Sequence, residues 1–213
     1  MNPISAAMVL TLYFLGYGVI HSLLAATPVK RWVRRAFGLS SDHWYRLTYN
    51  IFATITLLPM LAMMVLLPSQ TLYVVPSPWR WLMLGGQALA TLAILFTLLQ
   101  TGLFHFVGLS QLFADRPEEN GSLNVGGFYA WVRHPLYTFS LVFIWLTPVM
   151  TTNTLVAFIL FTIYFFIGSH YEERRLVAEF GAEYEDYHRQ VPGIVPLPGR
   201  RYVAPSEPRP AEL

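Results

Sequence analysis

The chain has 213 residues, of which 54% are apolar and only 12% charged, with 14 Lys and Arg against 12 Asp and Glu and no cysteine. That charge share is about half the soluble-domain norm, and all of it lies outside four stretches, 1–29, 47–79, 81–114 and 135–171. Such segments exclude an ordinary soluble fold and a disordered chain; the lack of Cys excludes a disulfide scaffold, and a net charge of +2 does not point to nucleic acid.

The first span covers about 4–26. Small residues at Ala25 and Ala26 suit a cleavage site, but no basic residue precedes the apolar run, the first being Lys30. A retained helix is therefore expected rather than a cleaved signal. The second span runs about 48–67, carries Pro59 and stops at Pro68. A Pro- and Ser-rich connector fills 68–78. The third span is about 81–107, with Trp79 and Trp81 suited to the interfacial belt.

The stretch 135–171 is 37 residues long. As one helix it would reach about 55 Å, against roughly 30 Å of hydrocarbon. It must fold back, and Pro148 with Thr151-Thr152-Asn153 supplies the turn chemistry. Two short helices are expected, about 137–150 and 154–171. Each is near the minimum spanning length, so a full crossing and an embedded hairpin both stay open.

Five spans sort the basic residues. Loop 27–47 has five (Lys30, Arg31, Arg34, Arg35, Arg46), loop 108–136 has two (Arg116, Arg133), the tail from 172 has six, and the other side has Arg80 alone. This positive-inside bias puts the amino terminus outside, and the charged loops and tail in the cytoplasm. The expected fold is an all-α integral membrane protein of five transmembrane helices, the last two a hairpin, with a cytoplasmic C-terminal helical cap. Its parts are a three-helix membrane region (1–114), a core of loop, hairpin and cap (115–200), and a disordered Pro-rich tail (201–213).

Most span residues read as packing. Gly16, Gly18, Gly85 and Gly86 permit close helix contact. His21 and His105 are scattered and no His/Asp/Glu set has ligand spacing, so no metal is expected. His105 reads as packing or as facing a pocket. Polar groups gather in two segments: Gly126 to Tyr137, with Arg133 and His134 entering the hairpin, and Ser169-His170-Tyr171-Glu172-Glu173-Arg174-Arg175, leaving it. If the hairpin returns, His134 and Glu172 line one pocket at a helix start, where free N–H groups favour anions. The plain alternative is that Arg133 and His134 anchor a helix at the headgroups, with Leu176 to Gly199 an amphipathic cap on the membrane.

Tyr129, Arg133-His134-Pro135-x-Tyr137, an apolar hairpin, Glu172-Glu173-Arg174, Phe180-Gly181-Ala182-Glu183-Tyr184 with Tyr187, and Val191-Pro192 with Pro196 follow in order. This set resembles the isoprenylcysteine carboxyl methyltransferase superfamily, over about 127–198. Trp145 to Thr151 and Phe106-Val107-Gly108-Leu109-Ser110-Gln111 look like its bacterial methanethiol S-methyltransferase branch. His21-Ser22-Leu23-Leu24-Ala25 and Val29-Lys30-Arg31-Trp32 are similar to the NnrU-like segment of that branch.

The resemblance implies S-adenosylmethionine as cofactor. It implies cofactor contacts at Leu123, Asn124, Tyr129, His134, Pro135, Leu136, Tyr137 and Glu172. Gly168 stands where the isoprenylcysteine enzymes have a carboxylate-binding arginine, which disfavours a prenylcysteine carboxylate and agrees with a thiol. A thiol of pKa about 8.5 needs only a modest base; His134, His170 and Glu173 are candidates, and Arg133 would favour the thiolate. Three functions are expected in competition: methylation of a small thiol, methylation of a lipophilic acceptor entering from membrane lipid, and a non-catalytic NnrU-like membrane protein.

Overall fold

The computed structural model describes residues 1–38, 41–109 and 122–203. Arg116, Ser110, Gln111, the boundary expected at 114/115 and the tail from 204 lie outside the described residues, as do the side chains of His105 and Phe106. Helix α1 covers Pro3–Ala25. Asn2 starts it by accepting the Ser5 N–H at 2.8 Å, and Pro3 occupies the first turn, where no donor is wasted. Helix α2 covers Thr27–Phe37 and α3 covers Ser41–Leu66, with Pro59 inside it. The segment expected as a loop at 27–47 is thus mostly helical.

The connector at 68–78 is not all loop. Thr71–Val74 form strand β1, which pairs antiparallel with β2, Val149–Thr151. The fold is therefore not purely α. Side chains lock the ribbon: Tyr73 donates to the Thr147 carbonyl at 3.0 Å, and the fully buried Asn153 amide donates to the Leu67 carbonyl at 3.1 Å.

Helix α4, Trp79–Gln100, ends before the expected 107. Gly102 takes φ +80, and a short α5, Leu103–Val107, follows. After the 3-10 turn Gly127–Ala130 comes α6, Pro135–Trp145. It has only 11 residues, because β2 takes over the segment expected to continue to 150. Helix α7, Thr152–Phe180, starts on a Thr151/Thr154 capping box and runs well past 171. Its charged last part (Glu172 to Glu179) is made of good helix formers, and Gly181, at φ +53, ends it. Helix α8, Ala182–Gln190, follows.

Among the described residues, four helices are long and apolar enough to cross a membrane: Pro3–Ala25, His43–Leu66, Trp79–Gln100 and Thr152–Phe180. Large apolar side chains such as Leu12, Ile55, Val65, Leu89 and Leu92 are exposed along them, as suits a lipid-facing surface. The protein is thus mostly helical and multi-pass. The core lies where α1, α3 and α7 meet β2, around Leu10, Phe14, Met60, Met150 and Phe158. Helix α4 packs on α6, tied by Gln87 Nε2 donating to the Phe143 carbonyl at 2.9 Å. Trp145 Nε1 donates to Thr162 at 3.0 Å and ties α6 to α7.

Candidate active site

The start of α6 is bound by the C-terminal strap. The Arg133 N–H donates to the Pro192 carbonyl at 2.9 Å, and the His134 N–H to that of Gly193 at 3.2 Å. The Thr138 hydroxyl donates to the Ile194 carbonyl at 2.5 Å. One turn upstream, Tyr187 donates its hydroxyl to the Tyr129 carbonyl at 2.6 Å. Tyr184, Tyr187 and Val191 form a second buried cluster, against which Leu123 packs. These backbone, hydroxyl and apolar ties fasten the loop to the cap.

Onto this frame α7 brings two carboxylates. Arg133 Nε and Nη2 both donate to Glu173 Oε1, at 2.9 and 2.6 Å. Its Nη1 donates to the carbonyls of His188, at 3.1 Å, and Val191. The His134 ring lies between the carboxylates, with Nε2 3.0 Å from Glu173 Oε1 and Nδ1 3.5 Å from Glu172 Oε2. Tyr137 donates to Glu172 Oε2 at 3.1 Å, and its ring stacks between His134 and Phe165.

Only a protonated imidazole donates from both nitrogens. Burial pulls the His134 pKa down, but the hydrogen bonds and charges of Glu172 and Glu173 outweigh it and raise it above the ordinary value. Burial likewise raises Tyr129, so its phenol stays neutral.

The two acids face different spaces. Glu173 serves Arg133, His134 and His188 on the cap side, with His188 Nε2 3.4 Å from its Oε2. Glu172 lines a cavity of about 650 Å³ between α1, α3 and α7. That size falls within the range of about 300–1,000 Å³ typical of ligand sites. At its other end His21 stands between two phenols: Tyr49 Oη is 2.8 Å from Nε2 and Tyr164 Oη is 2.9 Å from Nδ1.

Of the residues singled out in the sequence, Arg133, His134, Pro135, Tyr137, Glu172 and Glu173 come together. Leu136 sits half-buried in the first turn of α6. Tyr129 joins through the cap. Asn124 binds the end of α4, its amide donating to the Gln100 carbonyl at 3.3 Å. His170 is exposed and, two residues before Glu172, on the opposite side of α7. The His21, Tyr49 and Tyr164 cluster was not singled out. Its available signal was a histidine inside a charge-free span, where polar groups are costly. Among the described residues no group of three His, Asp or Glu is arranged to hold a metal ion.

A family described as "Protein of unknown function (DUF1295)" matches residues 28–191. A methanethiol S-methyltransferase of Mycobacterium tuberculosis is 31% identical over 208 residues, covering 93% of this chain and 82% of that protein. Methanethiol S-methyltransferase 2 of Bradyrhizobium diazoefficiens is 32% identical over 199 residues, covering 91% and 75%. The protein-S-isoprenylcysteine O-methyltransferase of Schizosaccharomyces pombe is 36% identical over 93 residues, covering 41% and 39%. No solved structure matches the chain.

Proposed function

We infer the function from the premise that the chain belongs to the DUF1295 family and to that of the methanethiol S-methyltransferases. It is a multi-pass membrane methyltransferase that converts a small thiol to a thioether with S-adenosylmethionine. The observation that carries this reading is the cavity lined by Glu172 and Tyr137, one turn from His134. Its residues fit the donor. A carboxylate suits an ammonium or ribose hydroxyls, and Gly168 leaves room, since a Cβ there would meet nothing nearer than Tyr137 Oη at 3.8 Å.

Glu172, Tyr137, Tyr129 and the 134–136 turn would hold the donor, with Leu123 and Asn124 shaping the loop beside it. Tyrosine faces favour a positive sulfonium. The bound donor supplies a methyl group already activated by the charge on its sulfur. The protein therefore has to align the reactants and exclude water. Arg133 and Glu173 are each other's partners, and in this reading they keep His134 and the strap in place. Of the sequence candidates for base, Glu173 is engaged by Arg133, His134 and His188 and His170 faces away.

The basic-residue bias supports an amino terminus outside, a carboxyl terminus in the cytoplasm and a place in the bacterial inner membrane. Helix α6 would make the fifth crossing, with the 3-10 turn at one end and the ribbon at the other completing its reach. Residues 1–114 would form the membrane scaffold and 115–200 the catalytic core with its cytoplasmic cap.

Leu23 and Ile167, on the cavity wall, are 57% and 52% exposed, so the cavity opens sideways toward lipid. That favours a lipid-borne acceptor as the second reading. Full-length protein with methyl-labelled donor, given methanethiol or bacterial lipid extract, separates the two. Label in the headspace supports the thiol. Label only in the lipid phase replaces it, and label in neither ends the methyltransferase reading.

A further inference from the structure

Tyr164, Gly168 and Glu172 follow at four-residue steps on α7, so they line one side of the helix, each step rising about 6 Å. Glu172 ends the row on the donor side, and Tyr164 ends it against His21. Between them Gly168 leaves the cavity open. The Tyr164 hydroxyl touches His21 Nδ1 at 2.9 Å and Ser22 Oγ at 3.1 Å, while Tyr49 holds the other ring nitrogen at 2.8 Å. A linked imidazole and two phenols in an otherwise apolar span are costly to keep, and the donor assignment leaves them unused.

We propose that Tyr164 and His21 take the proton of a thiol bound in the cavity over Gly168. This assignment rests on the methyltransferase reading above. The thiol S–H proton passes to Tyr164 Oη as the Tyr164 hydroxyl proton passes to His21 Nδ1. The thiolate sulfur then forms a bond to the methyl carbon, and the bond from that carbon to the sulfonium sulfur breaks, its electron pair staying on the leaving sulfur. The products are a thioether and a neutral thioether leaving group, and His21 releases the proton to water. Arg175, at the cavity wall one turn beyond Glu172, adds a positive charge that favours the thiolate. Tyr164 is the catalytic contact, and Tyr49 positions the ring.

The test uses full-length protein in detergent, with donor affinity measured by calorimetry and methylation rates measured for ethanethiol and trifluoroethanethiol. The fluorines make the second thiol far more acidic at a similar size. His21→Gln and Tyr164→Phe should keep donor affinity near the wild-type value. Both should lose about 10²- to 10⁴-fold in rate with ethanethiol at neutral pH. They should lose far less with trifluoroethanethiol, and should regain ethanethiol activity as pH rises. Equal losses with both thiols, or no loss, overturn the assignment. If His21→Gln loses donor binding, Tyr164→Phe, which keeps the ring, decides. A wild-type protein that binds donor and methylates neither thiol overturns the thiol reading and this assignment with it.

Discussion

His134 Nδ1 stands 3.5 Å from Glu172 Oε2, although an entire apolar segment separates the two in sequence. One residue opens α6 and the other lies late in α7, so the chain leaves and returns at one end of the molecule. The same ring reaches Glu173 at 3.0 Å with its other nitrogen. Charge on this imidazole therefore links both carboxylates to the start of α6.

That link predicts a pH dependence. The His134 pKa is raised above its ordinary value of about 6.5. Its stabilising contribution is fully present below that value and is lost as pH rises through the raised one. The thermal midpoint of detergent-solubilised protein should fall as pH climbs from about 6.5 through this window. His134→Asn should flatten the slope; an unchanged slope would mean that another group titrates.

Glu172→Gln keeps shape and removes charge. A hydrogen bond to a charged group contributes about 1.5–3 kcal/mol, or about 10- to 100-fold in affinity. Calorimetry should show S-adenosylmethionine binding weakened by that factor. Unchanged binding would move the donor elsewhere.

The Arg133–Glu173 pair is largely out of water, with side chains 10% and 18% exposed. Arg133→Met strips Glu173 of its closest partner and should cost about 3 kcal/mol. Adding Glu173→Leu should recover part of this, since the carboxylate stripped of its arginine is then gone. Denaturation in micelles measures both, and additive losses would argue against coupling.

Tyr187 is 2% exposed, and its hydroxyl reaches the Tyr129 carbonyl. Tyr187→Phe leaves that carbonyl without this donor, at a cost of about 1–3 kcal/mol. Hydrogen exchange at residues 127–130 should accelerate while α1 and α3 stay protected. Acceleration throughout would show that the cap is not a local clamp.

The membrane helices were legible because lipid forbids charge, and the charge-free stretches mark them. The meeting of His134 with Glu172 was legible because 135–171 is too long for one crossing. The ribbon was not, since Thr71–Val74 and Val149–Thr151 are short, lie far apart in sequence and are flanked by Pro and Ser. The end of α7 was hidden too: apolarity stops at Tyr171, while helix propensity carries on to Phe180. His21 carried no periodic or spacing signal toward Tyr164, because their contact exists only once α1 packs on α7.

The strand pair also bears on the order of assembly. Thr71–Val74 leave the ribosome long before Val149–Thr151, with α4 and α6 between them. The first strand therefore has no partner strand until the chain is made through Thr151. A nascent chain stopped after α4 holds a half-made clasp, and only translation through Thr151 closes it.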